Sequence, residues 1–464
     1  MNSSTIWFLN LPAAIPVVRR YMCSSFAERY LFPPHDLLAL AAVARAAGHR
    51  VVFTDAVAEC IGIQQVIRLS ETIRPDLVVS IMSFELFDKD VSAVKMLKQS
   101  MPDVPYILIG YYPTEFPHET LALTGADMVM LGEPDHVFEN VLKYFSPRNL
   151  PEHITGTVVR KSTGDILANE PDRRVPNPNL LPMPAYDLII PKHYKEPFMP
   201  NPVGVIQSAR GCPYFCNYCV HSFGTKLTVL TPENTLEHIL FMKKHLGVRS
   251  LRFIDDTFTA VPSRVIKLCR LMIEHKVNLP WTCLSRADTL YDEEMLLWMR
   301  KAGCIRLNIG FESGSQRILD ILEKGYEIEK CIPHVKKARK MGFEILGFFL
   351  TGIPEETVED IHYTLKMAKE LCHFAIVDTL KIYPGTPLHN RYKHLLHFSL
   401  MPYKNEFTDP LLTQKATKHR KYIYRKFYFR PAQLFNFPLS IYTDASIKDT
   451  IPYVFKMVSR KVTM

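Results

Sequence analysis

The chain is 464 residues long, 47% hydrophobic and 22% charged, with ten cysteines and a formal net charge of +9. That composition excludes a disordered or fibrous chain and leaves room for two or three cored domains. No apolar run approaches the ~20 residues of a membrane-spanning helix, no charged-then-apolar leader is visible, and the cysteines form no paired framework, so a reducing cytoplasm is the expected setting.

Residues 5–11 read as a buried strand and 36–47 as a helix, with Asp36 the expected N-cap and Gly48 the terminator. Strands follow at 50–55, 76–81, 106–110 and 128–132, with helices at 62–73, 88–100 and 134–145. This alternation predicts an α/β domain over residues 1–146, a Rossmann-like, doubly wound parallel sheet. Ligands of such sheets bind outside the carboxyl ends of the strands, here the loops beginning at Asn10, Ser80, Gly110 and Gly132.

Eleven prolines between 147 and 202 interrupt regular elements, so that stretch reads as a linker. One short hairpin is expected around Val158 to Ile166, turned by Thr163-Gly164-Asp165.

Residues 203–395 show six strand-then-helix units, with strands near 203–209, 249–254, 280–285, 305–311, 344–351 and 376–383. Six units are too few for an eight-stranded barrel and predict an open, partial (β/α)6 barrel of the TIM type, with its chemistry at the carboxyl ends of the strands. Three cysteines, Cys212, Cys216 and Cys219, stand C-x3-C-x2-C on the loop that leaves the first of these strands. Thiolates so close together hold a metal or an iron–sulfur cluster. A closed zinc site needs four ligands, for which His221 is a candidate, whereas a cubane on three thiolates keeps one iron open. Three buried free thiols are the plain alternative, against which Gly211 and Pro213 mark an irregular loop.

The later strand ends carry Asp255-Asp256, Ser285-Arg286, Glu312, Gly352 and Tyr383-Pro384-Gly385. Singly, each has an ordinary reading as a helix cap or an ion pair; together they converge on the mouth that holds the cysteines. Cys269, Cys283, Cys304, Cys331 and Cys372 read as core.

Residues 396–464 form a basic tail: from 400 onward it holds twelve Lys or Arg against four acids. Basic and aromatic residues interleave on the expected helix Lys418 to Arg430, ahead of Pro431. The pattern suits RNA, an anionic membrane surface, an acidic substrate, or a helix capping the open barrel with its aromatic face inward. No RNA-binding module is recognisable, and nucleic acid is not the expected partner.

With Tyr218 just ahead of the last cysteine, the motif resembles that of the radical S-adenosylmethionine (radical SAM) enzymes. The resemblance implies a 4Fe–4S cluster on Cys212, Cys216 and Cys219, whose open iron chelates SAM, and reductive cleavage of SAM to a 5′-deoxyadenosyl radical. It also implies that Glu312 accepts from the ribose hydroxyls, that Ser285 and Arg286 hold the methionine carboxylate, and that Asp255 or Asp256 holds the amino group. Tyr218, Gly352 and the Tyr383 turn would frame the adenine.

The N-terminal segment is similar to the cobalamin-binding domain that precedes the radical SAM core in one branch of the family. Matching features are Pro33-Pro34, Ala47 to Val51, Asp55, Ser80 to Ser83, Gly110 and Gly132-Glu133. Cobalamin contacts are therefore expected at Ser83, Gly110, Gly132 and Glu133. Tyr111 and Pro134 depart from the branch pattern, and no Asp-x-His-x-x-Gly motif offers cobalt a histidine.

The resemblance spans about residues 5–395 and points to the branch with the anaerobic magnesium-protoporphyrin monomethyl ester cyclase and many C-methylases. It implies a methyltransferase acting on an unactivated carbon of a small-molecule or lipid-like substrate. Electrons would come from a low-potential donor such as flavodoxin or ferredoxin. Oxidation, cyclisation or rearrangement on the same architecture is the second reading, and a cofactor-binding regulatory protein the third. Peripheral membrane contact through the basic tail is a further expectation.

Overall fold

Strongly apolar segments of five or six residues, separated by helices, can bury both faces only in a parallel sheet with helices packed on it. A computed structural model of the chain, describing residues 3–20, 24–26 and 31–430 except 84, 173, 175, 176, 197 and 222, contains two such sheets. They belong to two compact units. The first comprises the chain up to Lys195 with His221–Val229 and Ser399–Lys404; the second comprises Glu196–Val220, Leu230–Phe398 and the chain from Asn405 onward.

In the first unit the elements are β1 (Thr5–Asn10), α1 (His35–Ala46), β2 (Arg50–Asp55), α2 (Ile63–Ile73), β3 (Leu77–Ile81), α3 (Phe87–Ser100) and β4 (Tyr106–Ile109). They continue with α4 (Tyr111–Glu115), α5 (Pro117–Thr124), β5 (Met128–Met130), α6 (Pro134–Tyr144), β6 (Thr157–Arg160) and β7 (Ile166–Ala168). The strand order is β2-β1-β3-β4-β5-β6-β7, parallel through β5 and antiparallel beyond it. Ile6, Phe8, Val79, Ile107 and Phe138 lie in its core.

Three details differ from the sequence expectation. The α1 helix opens one residue early: the Pro34 carbonyl accepts from Leu37 and Leu38, and Asp36 is a buried first-turn residue, not the N-cap. Two short helices, α4 and α5, fill the stretch between Gly110 and Met128, where no element was expected. The hairpin around Val158 forms, with Gly164 at φ +92° in its turn, and β6 extends the first sheet antiparallel to β5. The end of α1 is as expected, since Gly48 has φ +89° and donates to the Arg45 carbonyl.

The second unit holds β8 (Val203–Ile206), α7 (Pro232–His245), β9 (Ser250–Phe253), α8 (Pro262–Glu274), β10 (Trp281–Ser285), α9 (Glu293–Lys301) and β11 (Cys304–Glu312). After these come α10 (Gln316–Ile321), α11 (Ile328–Lys340), β12 (Glu344–Thr351), α12 (Val358–Leu371), β13 (Phe374–Thr379), α13 (Pro387–Tyr392) and α14 (Pro410–Tyr428). The six strands pair in chain order, all parallel, and among the described residues β8 and β13 remain the two edges. This is the open arrangement expected from six units.

An open edge leaves backbone groups without partners. Along β13 the helix α14 supplies them: Tyr424 Oη accepts from Val377 N at 2.9 Å, and Tyr428 Oη accepts from Ala375 N at 3.1 Å and donates to its carbonyl at 2.8 Å. Ile423 and Phe427 are buried on the same face, while Lys418, Arg425 and Lys426 are exposed. The aromatic residues of this basic stretch therefore cap the sheet. Pro431, Cys23 and the cations at 448, 456, 460 and 461 lie outside the described residues.

Candidate active site

The cysteine loop leaves the carboxyl end of β8 and is held from both sides by one residue. Asn217, buried, donates from its backbone to the Leu322 carbonyl (3.2 Å) and from Nδ2 to the Ile321 carbonyl (2.9 Å), while its own carbonyl accepts from Leu388 N (2.9 Å). The loop is thus tied to the ends of α10 and α13. Within it, Cys219 N donates to the Cys216 carbonyl at 3.1 Å.

The three thiols lie close enough to influence one another. Burial pushes the Cys219 thiol well above the usual range, and Asp256, Cys216 and Cys212 add to the rise. Burial likewise raises Cys212, opposed by hydrogen bonds from Tyr214 N and Thr257. Among the described residues no three His, Cys, Asp or Glu side chains gather around a point that would hold a single ion. A cluster places its thiolates on separate irons, and three soft donors on one clamped loop fit that group.

Glu312 ends β11 in an unusual way. Its φ is +65°, rare for a residue with a Cβ, and the register to β12 shifts between Gly310 and Glu312. Its carboxylate folds back over Gly310, where a Cβ would stand 2.7 Å from Oε1. There it meets Lys324 Nζ at 2.8 Å, and the ammonium also donates to Tyr218 Oη at 3.1 Å. Lys324 is buried, and the sequence reading did not single it out, since a lysine after a short helix carries no periodic or spacing signal.

Two residues assigned to SAM from the sequence are committed elsewhere. Asp255 is fully buried and accepts from Ser208 N (2.6 Å), Ser208 Oγ (2.6 Å) and Arg264 Nη2 (3.2 Å). It acts as an internal brace between β8 and β9. Its neighbour Asp256 is half-buried and electrostatically coupled to Cys212 and Cys219. Arg286 does not stand ready for a carboxylate either: Asp288 takes Nε (3.0 Å) and one Nη2 contact (3.2 Å), the Lys324 carbonyl takes Nη2 at 2.6 Å, and Nη1 lies 3.3 Å from Cys216 Sγ.

Gly352 needs its φ of +91°, but the close approach there is protein. A Cβ would meet Ala416 of α14 at 2.7 Å, so the space expected to face adenine receives the capping helix. Its N–H donates to Glu356, which also pairs with His419 at 2.9 Å. Ser285 ends β10, buried, with Oγ 3.7 Å from Cys283 Sγ. Tyr383 is half-buried in the turn after β13, its carbonyl accepting from Thr386 Oγ1 at 2.7 Å.

In the first unit, Ser83, Gly110, Gly132 and Glu133 all fall at the carboxyl edge of the parallel strands. Thr114 links two of them, its Oγ1 donating to the Gly110 carbonyl and accepting from Gly132 N. A Cβ on Gly132 would meet nothing within 4 Å, so no protein atom closes off the backbone on that side. Gly110 is glycine for another reason, since a Cβ would lie 2.7 Å from the Met82 carbonyl. Ser83 is closed off: its N and Oγ both donate to Asp90, at 2.7 and 2.9 Å. Tyr111 is buried at the start of α4.

Comparison with known proteins adds to this geometry. Residues 206–368 match the radical SAM superfamily model and residues 29–142 match the B12 binding domain model. An uncharacterized methyltransferase of Pyrococcus horikoshii is 28% identical over 417 residues, covering 87% of this chain and 89% of that one. The anaerobic magnesium-protoporphyrin IX monomethyl ester cyclase of Rubrivivax gelatinosus is 26% identical over 73% of this chain, which spans 62% of that protein's length. The cobalamin-dependent SAM radical enzyme OxsB, solved with aqua-cobalamin and SAM, superposes with a TM-score of 0.74 at 15% identity, covering 99% of this chain and 72% of its own. The radical SAM methyltransferase TsrM of Kitasatospora setae, solved with cobalamin and a [4Fe-4S] cluster, gives 0.67 at 17% identity, covering 85% and 75%. This chain therefore carries a radical SAM domain that follows a B12-binding domain, and these two domains bring a 4Fe–4S cluster, SAM and cobalamin as cofactors.

Proposed function

We propose that this protein is a cobalamin-dependent radical SAM methyltransferase that methylates an unactivated carbon of a small-molecule or lipid-like substrate. The observation that carries the reading is the trio of thiols on one clamped loop at the carboxyl mouth of a six-stranded parallel sheet, in a chain that also carries a B12-binding domain. An unactivated C–H bond cannot be deprotonated by any side chain near neutral pH, so the bound cofactors supply hydrogen-atom abstraction and the methyl group.

The protein's own residues bind and orient. Cys212, Cys216 and Cys219 would hold the cluster, with Asn217 fixing their loop. Glu312, steadied by Lys324, would accept from the ribose hydroxyls, a task that suits a carboxylate. Asp256, the less buried acid of its pair, would take the amino group, and Ser285, at the end of the neighbouring strand β10, would take the carboxylate. Tyr218 and the Tyr383 turn would border the adenine. On the first unit, Gly110, Gly132 and Glu133 would line the cobalamin edge.

A low-potential one-electron donor such as flavodoxin or ferredoxin is the expected protein partner. No helix among the described residues is long and apolar enough to cross a membrane. The exposed Lys418, Arg425, Lys426 and Phe429 favour peripheral contact with an anionic surface, and we place the protein in the cytoplasm.

The test is anaerobic reconstitution with iron, sulfide and cobalamin, followed by dithionite and methyl-labelled SAM. Label in the product establishes methylation; 5′-deoxyadenosine with an unlabelled, ring-closed or oxidised product favours the second reading, which the similarity to the Rubrivivax cyclase supports. If no 5′-deoxyadenosine forms, the enzyme reading fails and a regulatory protein replaces it.

A further inference from the structure

Arg286 ends β10 in a setting that fixes nearly everything about it. The side chain is 6% exposed. Tyr214 lies against the guanidinium at 3.7 Å from ring centroid to Cζ, and Tyr326 at 5.2 Å. The fork has five N–H groups. The Nε group goes to Asp288 Oδ1, the Nη2 pair to Asp288 Oδ2 and the Lys324 carbonyl, and one Nη1 proton to Cys216 Sγ. One N–H is left, too few for the parallel two-bond grip that makes arginine a carboxylate clamp.

The contact with Cys216 takes the place of that grip. A guanidinium is charged at every workable pH, and this one is held in place by the Asp288 carboxylate. Its position is set by Asp288, a backbone carbonyl and two rings, with no bound SAM needed to hold it.

We propose that Arg286 is a redox-positioning residue, whose N–H···S bond to Cys216 makes the cluster easier to reduce. The inference rests on Cys216 being a cluster ligand. A cubane in the 2+ state takes one electron from a low-potential donor and becomes 1+, with no proton moved and no bond broken. The added negative charge spreads onto the thiolates, and a fixed cation with an N–H on one sulfur favours the state that carries more of it. The bond is stronger to the more negative sulfur of the reduced state, and that difference should shift the reduced-to-oxidised ratio about tenfold.

The experiment is an anaerobic potential titration of the reconstituted, SAM-free protein followed by electron paramagnetic resonance, with SAM affinity read from the spectral change on adding SAM. In Arg286→Gln, at unchanged iron and sulfide content, the reduced-to-oxidised ratio at a given potential should fall about tenfold, a midpoint about 59 mV more negative for one electron. In Arg286→Lys, which keeps charge but not the planar fork, the fall should be smaller. SAM affinity should stay within about twofold in both. An unchanged midpoint with weakened SAM binding would overturn the proposal and return Arg286 to the carboxylate. Loss of the cluster from the lysine variant would also overturn it, by assigning Arg286 to cluster assembly. If the unmutated protein binds no 4Fe–4S cluster, the reading of Cys216 as a ligand fails instead.

Discussion

The carboxyl edges of the two parallel sheets look alike in sequence and differ in what their polar residues do. At the first, around the switch from β1 to β3, Arg19 is buried and pairs with Asp90 at 2.7 Å while donating to Asn10 Oδ1 and the Leu11 carbonyl. Asn10 in turn donates to Asp55, which also accepts from Tyr194 at 2.8 Å. Those groups satisfy one another and form a knot. At the second edge, the cysteine thiols, Asp256 and the Glu312–Lys324 pair are brought near one another by separate strands. A polar residue at a strand end therefore becomes a ligand candidate only after its hydrogen bonds have been counted, and Asp255 beside Asp256 repeats the lesson within one dipeptide.

The comparison can be tested from both sides. The largest effect is expected from replacing Cys212, Cys216 and Cys219 together by Ala: iron content and 5′-deoxyadenosine formation should fall to background while the circular dichroism of the fold persists, and retained iron would contradict the site. Next, Asp90→Ala leaves the Arg19 charge buried without its partner, a loss of about 3–5 kcal/mol read from denaturant unfolding. A change below 1 kcal/mol would show that the knot is not structural.

Asp255→Asn should weaken stability by about 1–3 kcal/mol by disturbing the Ser208 and Arg264 contacts, whereas Asp256→Asn should leave the denaturation midpoint nearly unchanged and weaken SAM binding about tenfold. The reverse pattern would exchange their roles.

The smallest effect concerns pH. Burial, with Arg339 and Arg306 adding to it, lowers His373 to about 4, and its Nδ1 accepts from Ile345 N, which requires the neutral ring. Between its unfolded value near 6.5 and about 4 the unfolded chain binds the extra proton, so this stability is present above that window and lost as pH falls through it. Between pH 7 and pH 5 the stability read from denaturant midpoints should fall by about 2 kcal/mol through this group, and His373→Gln should flatten the difference.

Much of the architecture is readable from local pattern. The spacing of apolar runs is enough for both parallel sheets, the number of strand–helix units for the open second sheet, and three cysteines within eight residues for the cluster loop. The positions that escaped are those whose partners lie far off in the chain. Asn217 matters because Ile321 and Leu388 come to it, and Lys324 because Glu312 turns back over Gly310; the capping role of α14 was among the expectations, but not the pairing of Tyr424 and Tyr428 with a strand edge some fifty residues earlier.

By itself, the sequence determined the main strands and helices apart from α4 and α5, the parallel sheets and the residue types gathered at each strand end, because periodicity and turn chemistry act over a few residues. Tertiary structure alone decided which of those groups stay available. Hydrogen bonds have a reach of about 3 Å, so whether Asp255, Arg286 or Ser83 can meet a ligand depends on what distant segments have already placed against it.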